Sequence, residues 1–224
     1  MATKHFVFIT ACFLLGLTQV NGLEVVNGKI KVTVGTTSGC SDTVLFFLNQ
    51  LVEAYDKYHE FLELDFVPWG RTVWHENGTI TCQFYERDCW ANRLHRCALN
   101  MLKDNQDAQM HYMTCEFTSP RGPAFLETSY QCAQSVGLNL IEVDHCVNNP
   151  GDDLDRTAQL ASIVPMGSIN FVPYIVFNDS PIDDLRSFIL VGLCWCHFCT
   201  KCPTFARVLI DKLVQLDNRR ARYG

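Results

Sequence analysis

The 224-residue sequence predicts an α/β fold, in which helices pack in layers on a β-sheet. Three observations lead to this prediction. Along the chain, segments with the two-residue alternation typical of strands are followed by segments with helical spacing. In addition, 48% of the residues are apolar, and only 19% are charged. A chain of this composition can build a core of ordinary size, which argues against disorder.

The first two predicted strands flank one amphipathic helix. Residues 29–34 alternate and are rich in Val, Ile and Thr, and residues 62–66 alternate apolar with acidic side chains. Between these strands, from residue 43 onward, apolar side chains recur at helical spacing and define one buried face. That face consists of Val44, Phe47, Leu48, Leu51, Val52 and Tyr55.

The rest of the chain predicts a helical region followed by a proline-containing strand. Residues 82–146 are rich in cysteine and are expected to form short helices and loops. Helical spacing predicts one helix over 152–163 and a closing helix over 183–194. Between these helices, residues 171–177 predict a strand with Pro173 near its start. Strand, turn, helix, strand, helical insertion and proline-containing strand is the order of a thioredoxin-like fold.

The predicted thioredoxin-like domain spans residues 23–205 and carries its insertion at about 71–150. Ahead of it, residues 1–22 predict a signal peptide, because a polar start precedes an apolar run that is too short to span a bilayer and ends in small residues. A signal anchor is the alternative. Residues 206–224 form a C-terminal tail. We predict no later membrane span, and we expect the chain to be secreted or lysosomal.

Two surface properties agree with export. Asn77-Gly78-Thr79 is an acceptor sequence for N-glycosylation at Asn77, in a polar loop. The formal charge is −6 and the basic residues are spread along the chain, which argues against a basic surface for nucleic acid. We therefore expect no nucleic-acid partner.

The 12 cysteines separate into groups. Removal of the signal peptide takes away Cys12 and leaves an odd number, so at least one cysteine is free or pairs with another chain. Cys40 stands alone, and the others are expected to form disulfides within two groups, whose pairing the sequence leaves open. The first group is Cys82, Cys89, Cys97, Cys115, Cys132 and Cys146, and the second is Cys194, Cys196, Cys199 and Cys202. The second group is also close to a zinc-ligand spacing, but export favours disulfides, and we predict no metal and no cofactor.

Cys40 occupies the turn between the first predicted strand and the first predicted helix. A cysteine at the first turn of a helix points its sulfur at unpaired N–H groups, where the positive end of the helix dipole stabilises thiolate over thiol. The thiolate is the form that attacks a disulfide. The position therefore predicts a reactive cysteine. A buried structural cysteine, or one paired with the odd residue of another group, is the alternative.

Residues 82–97 resemble a signature of the gamma-interferon-inducible lysosomal thiol reductase (GILT) family, which runs Cys-Gln-His-Gly-x-x-Glu-Cys-x-x-Asn-x-x-x-x-Cys. Three cysteines, a glutamine and an asparagine match at the right spacing. Phe84 and Tyr85 replace the histidine and the glycine, and Asp88 replaces the glutamate.

The resemblance extends to two Val-Pro-aromatic strand ends, at 67–70 and 172–174. It implies a thioredoxin-like domain with an inserted disulfide-bonded helical region. It also implies reduction of disulfides in protein substrates within acidic endosomes and lysosomes, and a link to immune defence. Pro173 would be the cis-proline that faces the reactive sulfur in such folds.

The sequence departs from the family at the catalytic motif Cys-x-x-Cys. Cys40-Ser41-Asp42-Thr43 occupies that turn, so Thr43 replaces the resolving cysteine. An alignment with Thr37 first and Cys40 second is the alternative. Without a second sulfur, release of a bound substrate needs an external small thiol as reductant. The Thr43 hydroxyl is a candidate donor of a hydrogen bond to the Cys40 thiolate.

The sequence is compatible with three functions. The first is an oxidoreductase that acts on protein disulfides through Cys40. The second is a secreted binding protein that has lost catalysis. The third is a disulfide-stabilised module in which Cys40 bridges two chains.

Overall fold

A computed structural model describes residues 29–149 and 152–179. The predicted signal peptide, the closing helix over 183–194 and the tail over 206–224 lie outside the described residues. So do the four cysteines of the second group, Cys194, Cys196, Cys199 and Cys202. None of the helices in the described ranges combines the length and the apolar character that a membrane crossing requires.

A three-stranded sheet forms the centre of the domain. Its strands are β1 (Ile30–Thr36), β2 (Leu62–Pro68) and β5 (Tyr174–Phe177), in the order β2-β1-β5. Strand β1 pairs with β2 in parallel and with β5 antiparallel. The strands predicted over 29–34 and 62–66 are confirmed, and both extend further. The strand predicted over 171–177 begins only at Tyr174, because the preceding proline has no N–H for the ladder.

The segment after β1 is helical, as predicted, but its path is not uniform. Helix α1 (Ser41–Phe46) continues through a π-turn (Phe47–Leu51) into α2 (Val52–Tyr58). Leu48 was expected on the buried face, and that expectation is wrong, since its side chain is 45% exposed. The π-turn has more residues per turn than an α-helix, which changes the angular position of Leu48.

The region between β2 and β5 is mostly helical, as expected. A short hairpin of β3 (Val73–Trp74) and β4 (Ile80–Thr81) precedes the helices. The helices are α3 (Tyr85–Met101), α4 (Gln106–Glu116), α5 (Pro123–Glu127), α6 (Gln131–Ser135), α7 (Leu140–Asn148) and α8 (Asp152–Ile169). The prediction of short helices is wrong for α3, which has 17 residues. Helix α3 contributes buried residues to the apolar core along much of its length. The helix predicted over 152–163 is also longer than predicted, since it continues past Pro165 to Ile169.

The six cysteines of the first group form three disulfides in the structure. Cys82–Cys89 joins the loop after β4 to the second turn of α3, Cys97–Cys146 joins α3 to α7, and Cys115–Cys132 joins α4 to α6. The disulfides therefore link four of the inserted helices in two pairs, and one pair is also linked to the chain that follows the hairpin. All of the inserted helices belong to one helical region. They pack on the sheet through an apolar core in which the Phe47 and Phe117 rings stack at 4.6 Å.

Candidate active site

Cys40 lies at the N-cap of α1, directly after the end of β1. Its backbone N–H donates to the carbonyl of Thr37 at 3.1 Å, which closes a tight turn. The side chain is only 6% exposed, and Sγ lies 3.5 Å from the carbonyl oxygen of Val172. Among the described cysteines, Cys40 is the one that forms no disulfide.

The residue that follows Val172 is Pro173, and the peptide bond between them is cis. Pro173 is buried, and it leads directly into β5. The next residue, Tyr174, pairs with Gly35 of β1. A Cβ atom on Gly35 would lie 2.0 Å from the Tyr174 ring, so glycine at this position leaves the space that the ring occupies over β1. The cis form implied for Pro173 is thus present beside the sulfur, while a catalytic role for it remains a proposal.

Asp88 of α3 anchors the turn that precedes Cys40. Its carboxylate is fully buried and accepts hydrogen bonds from Gly39 N–H at 3.0 Å and from the Ser38 hydroxyl at 2.6 Å. It also accepts from the Thr37 hydroxyl at 2.9 Å and from Phe84 N–H at 3.2 Å. Because the three donors from the turn are buried and would lose this acceptor together, the carboxylate fixes the backbone path into Cys40.

Asn92 supports the same turn from one helical turn further along α3. Its side-chain oxygen accepts from Ser38 N–H at 2.9 Å, and its amide donates to the Thr37 hydroxyl oxygen at 3.0 Å. Asp88 and Asn92 both belong to the segment that resembles the family signature. The signature match alone did not predict their contact with the turn. Their four-residue spacing on a helix, which places both on one face, was the available signal.

Two further residues cover the turn at Gly39. Arg121 Nε donates to the Gly39 carbonyl at 2.8 Å. The Phe84 ring lies against Gly39 on the other side, where a Cβ atom would be 2.5 Å from the ring. The turn is therefore held by α3 and by the chain before α5, both parts of the inserted region.

Thr43 lies in the first turn of α1, but the hydrogen bond considered for it is absent. Its side chain is fully buried, and its hydroxyl has no hydrogen-bond partner among the described residues. Cys40 adopts an extended N-cap conformation and directs its sulfur at the Val172 carbonyl instead. The expected contact between the Thr43 hydroxyl and the Cys40 sulfur is therefore wrong for this structure.

A second buried polar cluster lies on the same helix, away from the turn. His95 Nε2 is 3.6 Å from the Glu116 carboxylate, and both side chains are fully buried. Neither His95 nitrogen has a hydrogen-bond partner among the described residues, while Glu116 accepts from Ala124 N–H at 3.1 Å. Burial, and then the charge of Glu116, raise the pKa of Tyr112 well above its ordinary value. The Tyr112 hydroxyl nonetheless makes no hydrogen bond of normal geometry.

Two other predicted features are located by the structure. Asn77 is exposed in the loop between β3 and β4, and its side-chain oxygen accepts from the Thr79 hydroxyl at 2.7 Å. Within residues 29–149 and 152–179, no three His, Cys, Asp or Glu side chains come together as metal ligands.

Comparison with protein families gives a match over residues 31–136 to the model described as "Gamma interferon inducible lysosomal thiol reductase (GILT)". The chain is 25% identical over 182 residues to GILT-like protein 1 of Drosophila melanogaster, covering 73% of each chain. It is 26% identical over 163 residues to the gamma-interferon-responsive lysosomal thiol protein of Arabidopsis thaliana, covering 70% of this chain and 65% of the relative. These matches confirm the resemblance read from the sequence.

Comparison with solved structures gives the fold. The crystal structure of Chlamydia trachomatis DsbA matches with a TM-score of 0.56 and 18% identity, covering 87% of this chain and 88% of that chain. DsbA has a thioredoxin-like fold, and the predicted fold class is therefore confirmed.

Proposed function

We propose that this chain, which belongs to the gamma-interferon-inducible lysosomal thiol reductase family, reacts with protein disulfides through the single thiol of Cys40. The observation that carries the proposal is the position of that thiol. It precedes helix α1, it forms no disulfide with a described cysteine, and it lies 3.5 Å from the carbonyl that leads into cis-Pro173. The family match supports thiol oxidoreductase chemistry at the level of the family.

The reaction begins with attack of the Cys40 thiolate on one sulfur of a substrate disulfide. A new disulfide forms between Cys40 and the substrate, the substrate S–S bond breaks, and the second substrate sulfur leaves as a thiolate. Thr43 carries no sulfur and cannot break the mixed disulfide.

Completion of the cycle then uses two molecules of an external small thiol. The first attacks the Cys40 sulfur, which releases the substrate as a thiol and leaves the small thiol bound to Cys40. The second regenerates the Cys40 thiolate and departs with the first as an oxidised dimer. One substrate disulfide is reduced for each pair of small thiols oxidised.

The neighbours of Cys40 have positioning roles in this proposal. Asp88 and Asn92 hold the turn through Thr37, Ser38 and Gly39, so the sulfur is presented from a fixed backbone. Pro173 fixes the strand end that faces the sulfur. Neither Asp88 nor Asn92 exchanges a proton or a bond with the substrate.

A secreted binding protein without redox turnover is the second candidate function. The 6% exposure of Cys40 favours it, because a substrate disulfide reaches such a sulfur only after nearby side chains move. The same burial argues against an interchain bridge through Cys40. Both candidate functions include export to a secreted or lysosomal location, glycosylation at the exposed Asn77 and a link to immune defence. Neither includes a nucleic-acid partner.

Trapping of a mixed disulfide separates the two candidates. The full chain, expressed with its own leader in a eukaryotic secretory host, is incubated with a denatured disulfide-bonded protein and then analysed by intact mass. We expect an adduct at Cys40 and reduction of the substrate when glutathione is added, both lost in Cys40→Ala. A chain that forms no adduct at any pH, while a free-thiol count shows Cys40 reduced, rejects the oxidoreductase.

Restoring the missing sulfur tests the alignment. Thr43→Cys is expected to raise reductase turnover about tenfold or more, because an intramolecular thiol replaces a bimolecular step. Thr43→Ser is the matched control, since it keeps the hydroxyl and adds no sulfur. If Thr43→Cys gains nothing while its new cysteine is reduced and the fold is intact, residue 43 is not the resolving position.

A further inference from the structure

Tyr85 has a backbone conformation that suits glycine. Its φ is +66°, in the left-handed region, which a bulky side chain occupies only at a cost in free energy. Its ring is 84% exposed, so no packing in the described fold compensates for that cost. The family signature has glycine at this position. An exposed aromatic ring held in strained backbone points to a role at the surface.

The strained residue lies next to the reactive turn. The preceding residue, Phe84, places its ring against Gly39, which directly precedes Cys40. The Phe84 ring meets Phe125 of α5 edge-on at 6.4 Å. Leu126, the residue after Phe125, is 41% exposed. We give the name aromatic rim to Phe84, Phe125 and Leu126 together with Tyr85, the exposed sequence neighbour of Phe84.

The rim is held together by a contact between its two helices. Arg87 Nη1 of α3 donates to the Leu126 carbonyl of α5 at 3.3 Å. The charged side chains beside the rim are of both signs, with Glu86 and Glu127 exposed next to Arg87. These three charges sum to −1, so the rim offers apolar and aromatic area with only a weak charge beside it.

We propose that the aromatic rim binds a large apolar side chain adjacent to the cysteine of a polypeptide substrate. The inference rests on the proposed function of Cys40. A disulfide that reaches Cys40 brings the chain on either side of it past Gly39 and Phe84, and thus over the rim. Aromatic side chains gain free energy from edge-on contacts with other rings. The preferred substrate is accordingly an unfolded or extended segment with Phe, Tyr, Trp or Leu beside its disulfide.

Two short peptides that differ only beside a single cysteine test this preference. One carries Phe on both sides of the cysteine and the other Ser, and each cysteine is activated as a disulfide with nitrothiobenzoate. Attack by Cys40 breaks that disulfide, joins the peptide to Cys40, and releases the coloured thiolate with the electron pair. We expect the parent chain to react about three to ten times faster with the Phe peptide.

Tyr85→Gly is the informative variant because glycine accepts the backbone conformation at this position. We expect its preference for the Phe peptide to fall below about twofold, while its thermal unfolding shows an intact fold. Tyr85→Phe should keep the preference. Ile141→Ser is the matched control, since Ile141 is 80% exposed on α7 and its loss should leave the preference unchanged.

A binding measurement separates this inference from the proposed chemistry. A cysteine-free version of the Phe peptide, titrated by fluorescence, should bind the parent about three to ten times more tightly than Tyr85→Gly. If the parent reacts with neither activated peptide, the proposed function is rejected and the titration alone decides on the rim. Equal rates for the two peptides in the parent, or a full preference retained in Tyr85→Gly, would overturn the rim.

Discussion

Two buried polar clusters each include residues of the same helix, α3, and they differ in how their hydrogen bonds are satisfied. At the start of the helix, the Asp88 carboxylate accepts from four donors and Asn92 uses both its oxygen and its amide. Two turns further along α3, His95 has no hydrogen bond to a described residue, and its neighbour Glu116 of α4 accepts one. Only the first cluster reaches the turn that carries Cys40.

The difference shows which buried polar groups hold the site. A buried carboxylate stabilises a structure only when donors replace the water it loses. Asp88 meets this condition because its donors come from three consecutive residues of the turn. Its contribution to the stability of the fold and its proposed role in positioning Cys40 therefore depend on the same hydrogen bonds. The cluster of His95, Glu116 and Tyr112 is buried without a comparable set of hydrogen bonds. It lies between α3 and α4, and none of its hydrogen bonds among the described residues reaches the turn.

Removal of the Asp88 carboxylate is the largest test of this comparison. Asp88→Ala removes the acceptor of four donors, three of them buried, so we expect a loss of about 3 kcal/mol or more in the free energy of unfolding. Where the variant still folds, at reduced temperature, its rate of adduct formation at Cys40 should fall about tenfold or more, because the turn is no longer fixed. Urea unfolding and intact mass measure the two effects. A stable variant with an unchanged rate would show that the turn holds itself.

The same chemical change in both clusters makes the comparison sharper. Asp88→Asn replaces one acceptor oxygen by an N–H₂ group that faces a backbone donor, and we expect a loss of about 1–3 kcal/mol. Glu116→Gln removes a buried charge that accepts one N–H, and we expect a change of less than about 1 kcal/mol. The measurement is urea unfolding of both variants at neutral pH. Equal losses would mean that Glu116 has partners as good as those of Asp88.

The smallest effect is expected for Tyr112 of the second cluster, whose contribution to the free energy of unfolding should change only at alkaline pH. The pKa of Tyr112 is raised, so its contribution to stability is complete below pH 10 and is lost as the pH rises above that value. Tyr112→Phe should therefore change the free energy of unfolding by less than about 1 kcal/mol at pH 7. Above pH 10 it should reduce the loss of stability by up to about 1.4 kcal/mol per pH unit. Parallel pH profiles for the parent and the variant would refute this.

The elements that depend on local pattern were predictable from the sequence. Alternation located β1 and β2, and the odd cysteine count singled out Cys40. The π-turn was not predictable, because the spacing around Leu48 fits a regular helix equally well. The Asp88 cluster joins residues about fifty positions apart, such as Thr37 and Asp88 with a separation of 51, and no local pattern reports such a contact. The position of the Cys40 sulfur against Val172 likewise depends on how β5 returns to β1.

The disulfide between Cys82 and Cys89 encloses the residues that hold the reactive turn. Phe84 and Asp88 both lie inside this loop, and both of its cysteines are partly exposed. In the proposed cycle, the small thiol that regenerates Cys40 is also a reagent for this disulfide. The proposal therefore limits the supply of reductant on two sides: too little leaves substrate attached to Cys40, and too much opens the loop that presents it.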